Sequence, residues 1–362
     1  MKRRRFLQGT GLAAASTLAW LAPRPARAAQ AKQRIKVGQI GVGHAHASGK
    51  MAGFRKLADE YEVVGIVEPD PKLRAAWENH PIYRGLTWMT EEQLLQTKGL
   101  QAVAVETAVG GLVPTATRCV AAGMHLHLDK PGGESIRAFR GMLDDARRQH
   151  LAVQMGYMFR NNPAFQFCFR AVREGWLGQV FELHGVMGKM LPPAARRPLL
   201  PYRGGTMFEL GCHLIDPLVA VLGRPEKVTP YNRRTRPQTD DLYDNQLAVF
   251  EYPKATATIR ASVVEVDGES RRQFVICGDE GTLDIRPLEP PKLRLALARP
   301  RPGFRSGYQE VELPPMPGRY DDQLRELAQI IRGEKEHPYP PEHDLAVQEA
   351  VLLASGRPLE PH

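Results

Sequence analysis

The chain has 362 residues, 43% hydrophobic and 25% charged, proportions that fit a globular protein of about two domains and exclude a disordered one. Its 33 Gly and 30 Pro follow no short period, which removes collagen-like and solenoid architectures, and four cysteines without a C-x-x-C pair read as core thiols rather than a disulfide scaffold. The net charge of +9 is concentrated in Lys2, Arg3, Arg4, Arg5, Arg24 and Arg27, which leaves +3 on the remainder, so no basic stripe for nucleic acid remains.

The first 28 residues read as a twin-arginine export signal. Arg3-Arg4-Arg5-Phe6-Leu7 precedes a weakly apolar run from Gly9 to Ala22 and then Ala26-Arg27-Ala28, a small-x-small cleavage pattern. The apolar run is shorter than the roughly 20 residues a membrane span needs. The expected location is therefore periplasmic or secreted, with the twin-arginine export machinery as a partner. This route carries proteins that have already folded.

The mature chain opens with a strand over 34–40 that runs into Gly41-Val42-Gly43-His44-Ala45-His46. A buried strand ending in G-x-G predicts a dinucleotide fold: the first glycine permits the tight turn, and the second lets the backbone approach a pyrophosphate at the next helix N-terminus. A helix from Ala47 to about Asp59 leads to a second strand over 61–67 that ends at Glu68. Glu68 lies close to the spacing of about 20 residues expected for the acid that accepts from the ribose hydroxyls. It favours NAD over NADP, with Lys72 and Arg74 keeping NADP open. His46 stands where the fingerprint has a small residue, so its ring faces the cofactor or the helix packs farther out. His44-x-His46 and His125-x-His127 are read as strand pairs without a nearby acid or thiol, and no metal site is expected.

Strands over 100–105, 124–128 and 152–155, with helices ending near Ala122 and Gln149, complete a doubly wound parallel sheet. Ligands in such sheets sit beyond the C-terminal strand ends, which puts Lys130 of Asp129-Lys130-Pro131 in the ligand crevice. Farther on, Glu209, His213 and Asp216 are spaced i, i+4 and i+7, which predicts one helix face. Such a face is costly to bury unless it borders a cavity or joins a polar network. A neutral imidazole there suits removal of a hydroxyl proton as hydride leaves the carbon.

These features resemble the Gfo/Idh/MocA oxidoreductases. Asp129-Lys130-Pro131 is similar to that family's Glu-Lys-Pro signature, and Gly156 to Pro163 to the segment that opens its second domain. Gly204 to Asp216 resembles its catalytic helix, and Gly278-Asp279-Glu280-Gly281 its late G-x-x-G turn. The resemblance implies Lys130 and His213 as the catalytic pair, with Glu209 in place of the family's frequent aspartate. It implies cofactor contacts from Gly41, Gly43, His44, His46, Glu68, Thr107 and Lys130, although Thr107-Ala108-Val109 departs from the family's Thr-Pro-x-x-x-His. Arg160, Tyr202, Arg203 and Asp216 are expected at the substrate, with Arg196 and Arg197 as further candidates in the loop from Lys189 to Arg203.

The expected fold is therefore α/β: a Rossmann domain over 33–156, then an α+β substrate and oligomerisation domain over 157–362. The second domain carries an open-faced, mainly antiparallel sheet with strands over 180–186, 244–252, 255–262 and 272–277. Two tail helices pack back on the body, and the free sheet face implies a homo-oligomer. The expected function is NAD(P)-dependent oxidation of a CH-OH group of a sugar, polyol or glycoside, with the cofactor held tightly because no dependable free pool exists outside the cytoplasm. The alternatives are a redox-neutral NAD-dependent glycosidase or lyase working through a keto-sugar, and a non-catalytic sugar- or NAD-binding protein.

Overall fold

β1 (Ile35–Ile40) is buried along nearly its whole length, as a strand covered on both faces must be. It pairs in parallel with β2 (Tyr61–Val67) on one side and with β3 (Ala102–Val105) on the other, followed by β4 (His125–Leu128) and β5 (Val153–Met155). The order β2-β1-β3-β4-β5 is that of a doubly wound sheet. Helices α1 (Ala47–Lys56), α2 (Pro71–Trp77), α3 (Glu91–Leu95), α4 (Val109–Ala121) and α5 (Ile136–Arg148) connect the strands. In α5, Ile136, Phe139, Met142, Leu143 and Ala146 recur every three or four residues and are the buried ones, a single apolar stripe against the sheet. The computed structural model describes residues 33–359; the export signal expected over 1–28 lies outside them.

The rest of the chain contributes α6 (Pro163–Arg173), β6 (Val180–Gly188) and the short α7 (Pro193–Arg196). A π turn over Met207–Gly211 then leads into α8 (Cys212–Leu222). Seven strands follow: β7 (Lys227–Arg233), β8 (Asn245–Glu251), β9 (Thr256–Ser262), β10 (Gln273–Gly278), β11 (Gly281–Leu288), β12 (Pro291–Leu297) and β13 (Gly307–Val311). Helices α9 (Asp321–Ile331) and α10 (Pro341–Ala354) end the described chain. The sheet order is β13-β12-β11-β10-β6-β9-β8-β7, with β6 and β9 parallel and the other pairs antiparallel. Alternate residues such as Leu183, Phe250, Ile259, Phe274 and Ile276 are fully buried on the face that meets α6 and α8. Each such side chain contributes about 1.5–3 kcal/mol by leaving water.

Strands β7, β11, β12 and β13 extend the sheet beyond the four expected. Pro230 in β7 and Pro287 and Pro291 around the β11–β12 turn interrupt the alternating pattern, and proline is tolerated at edges and turns where no ladder donor is needed. The expected loop over 189–203 contains α7 and a 3-10 turn, Arg197–Leu199. α9 packs on α1, and α10 on α5 and α8, so the tail closes over both parts of the chain.

Candidate active site

β1 ends at Gly41, whose φ of +95° strains any residue with a side chain. A Cβ there would also lie 2.5 Å from the Thr107 backbone nitrogen. Gly43 is exposed, and α1 begins with neither a capping side chain nor an acid in its first turn, a helix start that suits an anion. At the end of β2, Glu68 Oε2 accepts from the Val42 N–H (2.9 Å) and Oε1 from the Asp70 N–H (3.0 Å). Thr107, just past β3, lies against the same turn. A glycine turn that a Cβ would fill, an uncapped helix start and a strand-end carboxylate fit a dinucleotide.

Lys130, at the end of β4, has no exposed surface. Its Nζ donates to the Glu209 carbonyl (2.7 Å) and to Glu209 Oε1 (2.9 Å). The π turn allows this double contact. Its i→i+5 pattern differs from the α-helical ladder, and the Glu209 carbonyl faces Lys130 Nζ and Cys212 Sγ. Burial alone pulls the ammonium toward losing its proton, but the Glu209 carboxylate prevails and the pKa lies above the ordinary lysine value. Burial likewise raises Glu209, yet Lys130 and then Lys189 hold it down at about 2.

His213, on α8, is 3% exposed and packs among His46, Phe159 and Tyr157, with ring centroids 5.7, 6.1 and 6.4 Å away. Its Nδ1 has no hydrogen-bond partner. Burial first, then the charge of Lys130, puts its pKa well below the usual imidazole value. At neutral pH it is an uncharged ring with a free nitrogen, the form a proton acceptor needs.

Asp129 gathers the histidines of the glycine turn. His44 Nδ1 is 2.7 Å from its Oδ2, and His46 Nδ1 is 3.1 Å from Oδ2 and 3.3 Å from Oδ1. The Lys130 backbone N–H donates to Oδ1 at 2.7 Å. Burial favours the neutral carboxyl, but the two imidazoles hold Asp129 well below the ordinary range. Glu106, beside it at the end of β3, is pushed well up by burial and then by Asp129. Burial also lowers His46 to about 4.

Three expectations change here. His44 and His46 lie in the turn between β1 and α1 rather than on a strand, and they do have a nearby acid, Asp129, brought in by chain folding. Glu209, His213 and Asp216 do not act as one group: Glu209 bonds Lys130, His213 packs on His46, and Asp216 bonds Arg160 and His343. Arg160 and Asp216 are each 1% exposed and bonded to one another, with Nη2 2.6 Å from Oδ1, while Arg160 also reaches Asp344 at 2.5 Å and His343 reaches Asp216 at 3.2 Å. They form a buried ion-pair network in which, among the described residues, Arg160 Nη1 alone is left without a hydrogen-bond partner.

Arg196 is likewise buried against Asp240 and Asp244. Arg203 is exposed and lines a groove of about 340 Å³ with Asn232, Asp241 and Arg357, a groove that Lys130, Glu209 and His213 do not line. Tyr202 borders the sheet's ligand edge: its hydroxyl accepts from the Val109 N–H at the start of α4 (3.1 Å), and it lines a cavity of about 310 Å³ with Gly133 and Pro201. Sequence reasoning missed Glu106, Asp129 and Lys189. The first two could have been found as acids standing at consecutive strand ends, where Lys130 was found; Lys189 carries no comparable signal.

Two family models match the chain: "Oxidoreductase family, NAD-binding Rossmann fold" over residues 35–157 and "GFO/IDH/MocA C-terminal domain" over residues 165–284. The chain belongs to the Gfo/Idh/MocA oxidoreductase family. It is 25% identical over 209 residues to the uncharacterized oxidoreductase YhhX of Escherichia coli (strain K12), a match spanning 57% of this chain but only 59% of YhhX. It is 22% identical to the uncharacterized oxidoreductase YdgJ of the same organism, over 88% of this chain and 95% of YdgJ. Among solved structures it superposes on UDP-N-acetylglucosamine 3-dehydrogenase GnnA from Acidithiobacillus ferrooxidans (TM-score 0.74, 17% identity, 90% of this chain and 97% of that one). It superposes equally on aldose-aldose oxidoreductase from Caulobacter crescentus (TM-score 0.74, 18% identity, 90% and 98%). At these identities the structural likeness concerns the fold. As a Gfo/Idh/MocA member the protein is an oxidoreductase with an NAD-binding Rossmann domain.

Proposed function

We propose that this Gfo/Idh/MocA oxidoreductase acts on a CH-OH group of a sugar, polyol or glycoside, keeps its dinucleotide bound, and is exported folded through its twin-arginine leader. The observation that carries this reading is the buried, uncharged His213, whose Nδ1 lacks a partner, near enough to the Lys130 ammonium fixed by Glu209 for that charge to lower its pKa. Gly41, Gly43, Glu68 and Thr107 would hold the dinucleotide, which when bound supplies the hydride acceptor. Glu68, a carboxylate at the ribose end, favours NAD over NADP because it repels a 2′-phosphate.

Lys130 has a third N–H beyond the two that Glu209 takes, and that N–H stabilises charge on the substrate oxygen. His213 takes the hydroxyl proton. Tyr202, whose hydroxyl accepts from the N–H that starts α4, orients the substrate. Carbohydrate neighbours in the same fold support the substrate class, since two of them are named for a sugar-nucleotide dehydrogenase and an aldose-aldose oxidoreductase. The open sheet face supports a homo-oligomer.

The test is to purify the exported protein, record its absorbance, and add a panel of sugars and polyols while following reduction of the cofactor that came with it. Reduction by a sugar, lost by about 10²–10⁴-fold in His213→Asn with the bound cofactor retained, is the expected result. A protein that arrives empty and binds neither NAD nor NADP in calorimetry contradicts the reading. Release of an aryl aglycone without net reduction would favour the redox-neutral alternative.

A further inference from the structure

We propose that His44, His46 and Asp129 form a binding site for one divalent transition-metal cation of the zinc and cobalt class, open toward the cleft. The inference stands on side-chain geometry and does not depend on the dinucleotide reading. Two imidazoles one residue apart converge on a carboxylate more than 80 residues away in sequence, and one ligand atom from each of the three lies within 4.8 Å of the others. Oδ2 is the common point, 2.7 Å from His44 Nδ1 and 3.1 Å from His46 Nδ1. A cation about 2.1 Å from each donor wants them roughly 3–3.4 Å apart, which small side-chain rotations provide.

The two rings already meet the carboxylate, His44 Nδ1 at 2.7 Å and His46 Nδ1 at 3.1 Å from Oδ2, while the His46 backbone N–H lies 3.3 Å from His44 Nδ1. A cation would take the place of the protons that now join rings and carboxylate. Glu106 is buried beside Asp129, its carboxyl pushed up by burial and by Asp129, so the carboxylate charge at this point is that of Asp129.

Outer contacts also point to a built site. The Lys130 backbone N–H holds Oδ1 at 2.7 Å and leaves Oδ2 for the ion, the kind of second hydrogen bond that orients a ligating carboxylate. The Lys130 side chain, the nearest ammonium in sequence, is engaged by Glu209, and Lys50 is bonded to His127 and Gln323. The other cluster of this type, Asp216, His343 and Asp344, differs decisively because the Arg160 guanidinium already bonds both of its carboxylates. Three protein ligands leave coordination positions free, and His46, with its side chain 14% exposed and its ring 5.7 Å from that of His213, marks the open side. Two imidazoles and one carboxylate suit zinc, cobalt, nickel or iron rather than calcium or magnesium.

The test uses the full-length purified protein, stripped with a chelator and titrated with Co²⁺ while its visible absorption is followed. The expected result is one Co²⁺ per chain with ligand-field bands. Affinity should fall by at least about tenfold in His44→Gln and in His46→Gln and stay unchanged in His343→Gln from the second cluster. Absence of the bands, or titrations that ignore both substitutions, overturns the site and leaves a proton-bonded cluster. Should a variant fail to fold, anomalous diffraction from Co²⁺-soaked wild-type crystals decides. An ion between the two Nδ1 atoms and Oδ2 supports the site; an ion elsewhere, or none, overturns it.

Discussion

A lysine with no exposed surface remains a cation only where a partner offsets its lost hydration, and at Lys130 that partner is Glu209. Glu209→Gln keeps the shape but leaves the ammonium against a neutral amide and one backbone carbonyl oxygen. Breaking a buried pair from one side costs about 3–5 kcal/mol, so the variant should unfold at lower urea by that amount while wild type and variant share the same m-value. The pH dependence has a definite sign. The folded pKa of Glu209 is depressed from 4.5 to about 2, so its stabilisation is complete above about pH 4.5 and is lost as the pH falls toward 2. Denaturation curves at pH 7 and pH 3 should therefore converge for the two proteins as the medium becomes acidic. A gap that stays constant across that window contradicts the pairing.

Elements carried by periodicity were legible, and those set by tertiary partners were not. The five parallel strands and α1, α4 and α5 stand out because apolar runs or stripes coincide with glycine and capping signals, as at Gly41 and Ser135. The π turn over Met207–Gly211 leaves no such mark. Its residues suit an ordinary helix, and it is Lys130, from a strand 79 residues earlier, that engages its carbonyl. For the same reason Lys130 and His213 could be placed at the site from motifs, whereas the destination of Asp216 depends on Arg160 and Asp344 arriving from two other elements. The glycine turn gives this scale its prediction. Gly41→Ala combines a φ of +95° with a Cβ 2.5 Å from the Thr107 nitrogen, backbone that cannot swing away. It should destabilise by more than about 1 kcal/mol and abolish dinucleotide binding by calorimetry. Gly110→Ala, where nothing lies within 4 Å of the new Cβ, should leave both properties intact.

At the scale of the molecule, Arg160 joins the segment before α6 to Asp216 on α8 and Asp344 on α10, stacked on Tyr339 with its guanidinium carbon 4.0 Å from the ring centroid. Arg160→Met should cost about 3–5 kcal/mol by leaving two carboxylates facing each other. The double variant with Asp216→Leu should recover part of that loss, a coupling that a merely exposed pair does not give. The far side of the large sheet poses the remaining question. Leu247, Val249 and Val275 are half-buried there, and Tyr231 and Tyr308, on the two edge strands, are 48% and 51% exposed. Register puts Tyr231 opposite Leu247 and His184 opposite both Thr258 and Val275, a mixed face with apolar side chains among titratable and hydroxyl groups. Lone exposed apolar residues need no explanation, but half-buried apolar side chains spread over one flat sheet face fit an interaction surface. A second copy of the same sheet covers such a face with like strands. The expected result is a homo-oligomer by light scattering after gel filtration. Val249→Glu combined with Leu247→Glu should shift it to monomer while far-ultraviolet circular dichroism is unchanged, because two carboxylates buried across a symmetric interface meet their own copies without partners. A wild-type chain that runs as a monomer at micromolar concentration would leave that face to solvent and remove the oligomer from the proposal without touching the Lys130 and His213 pair.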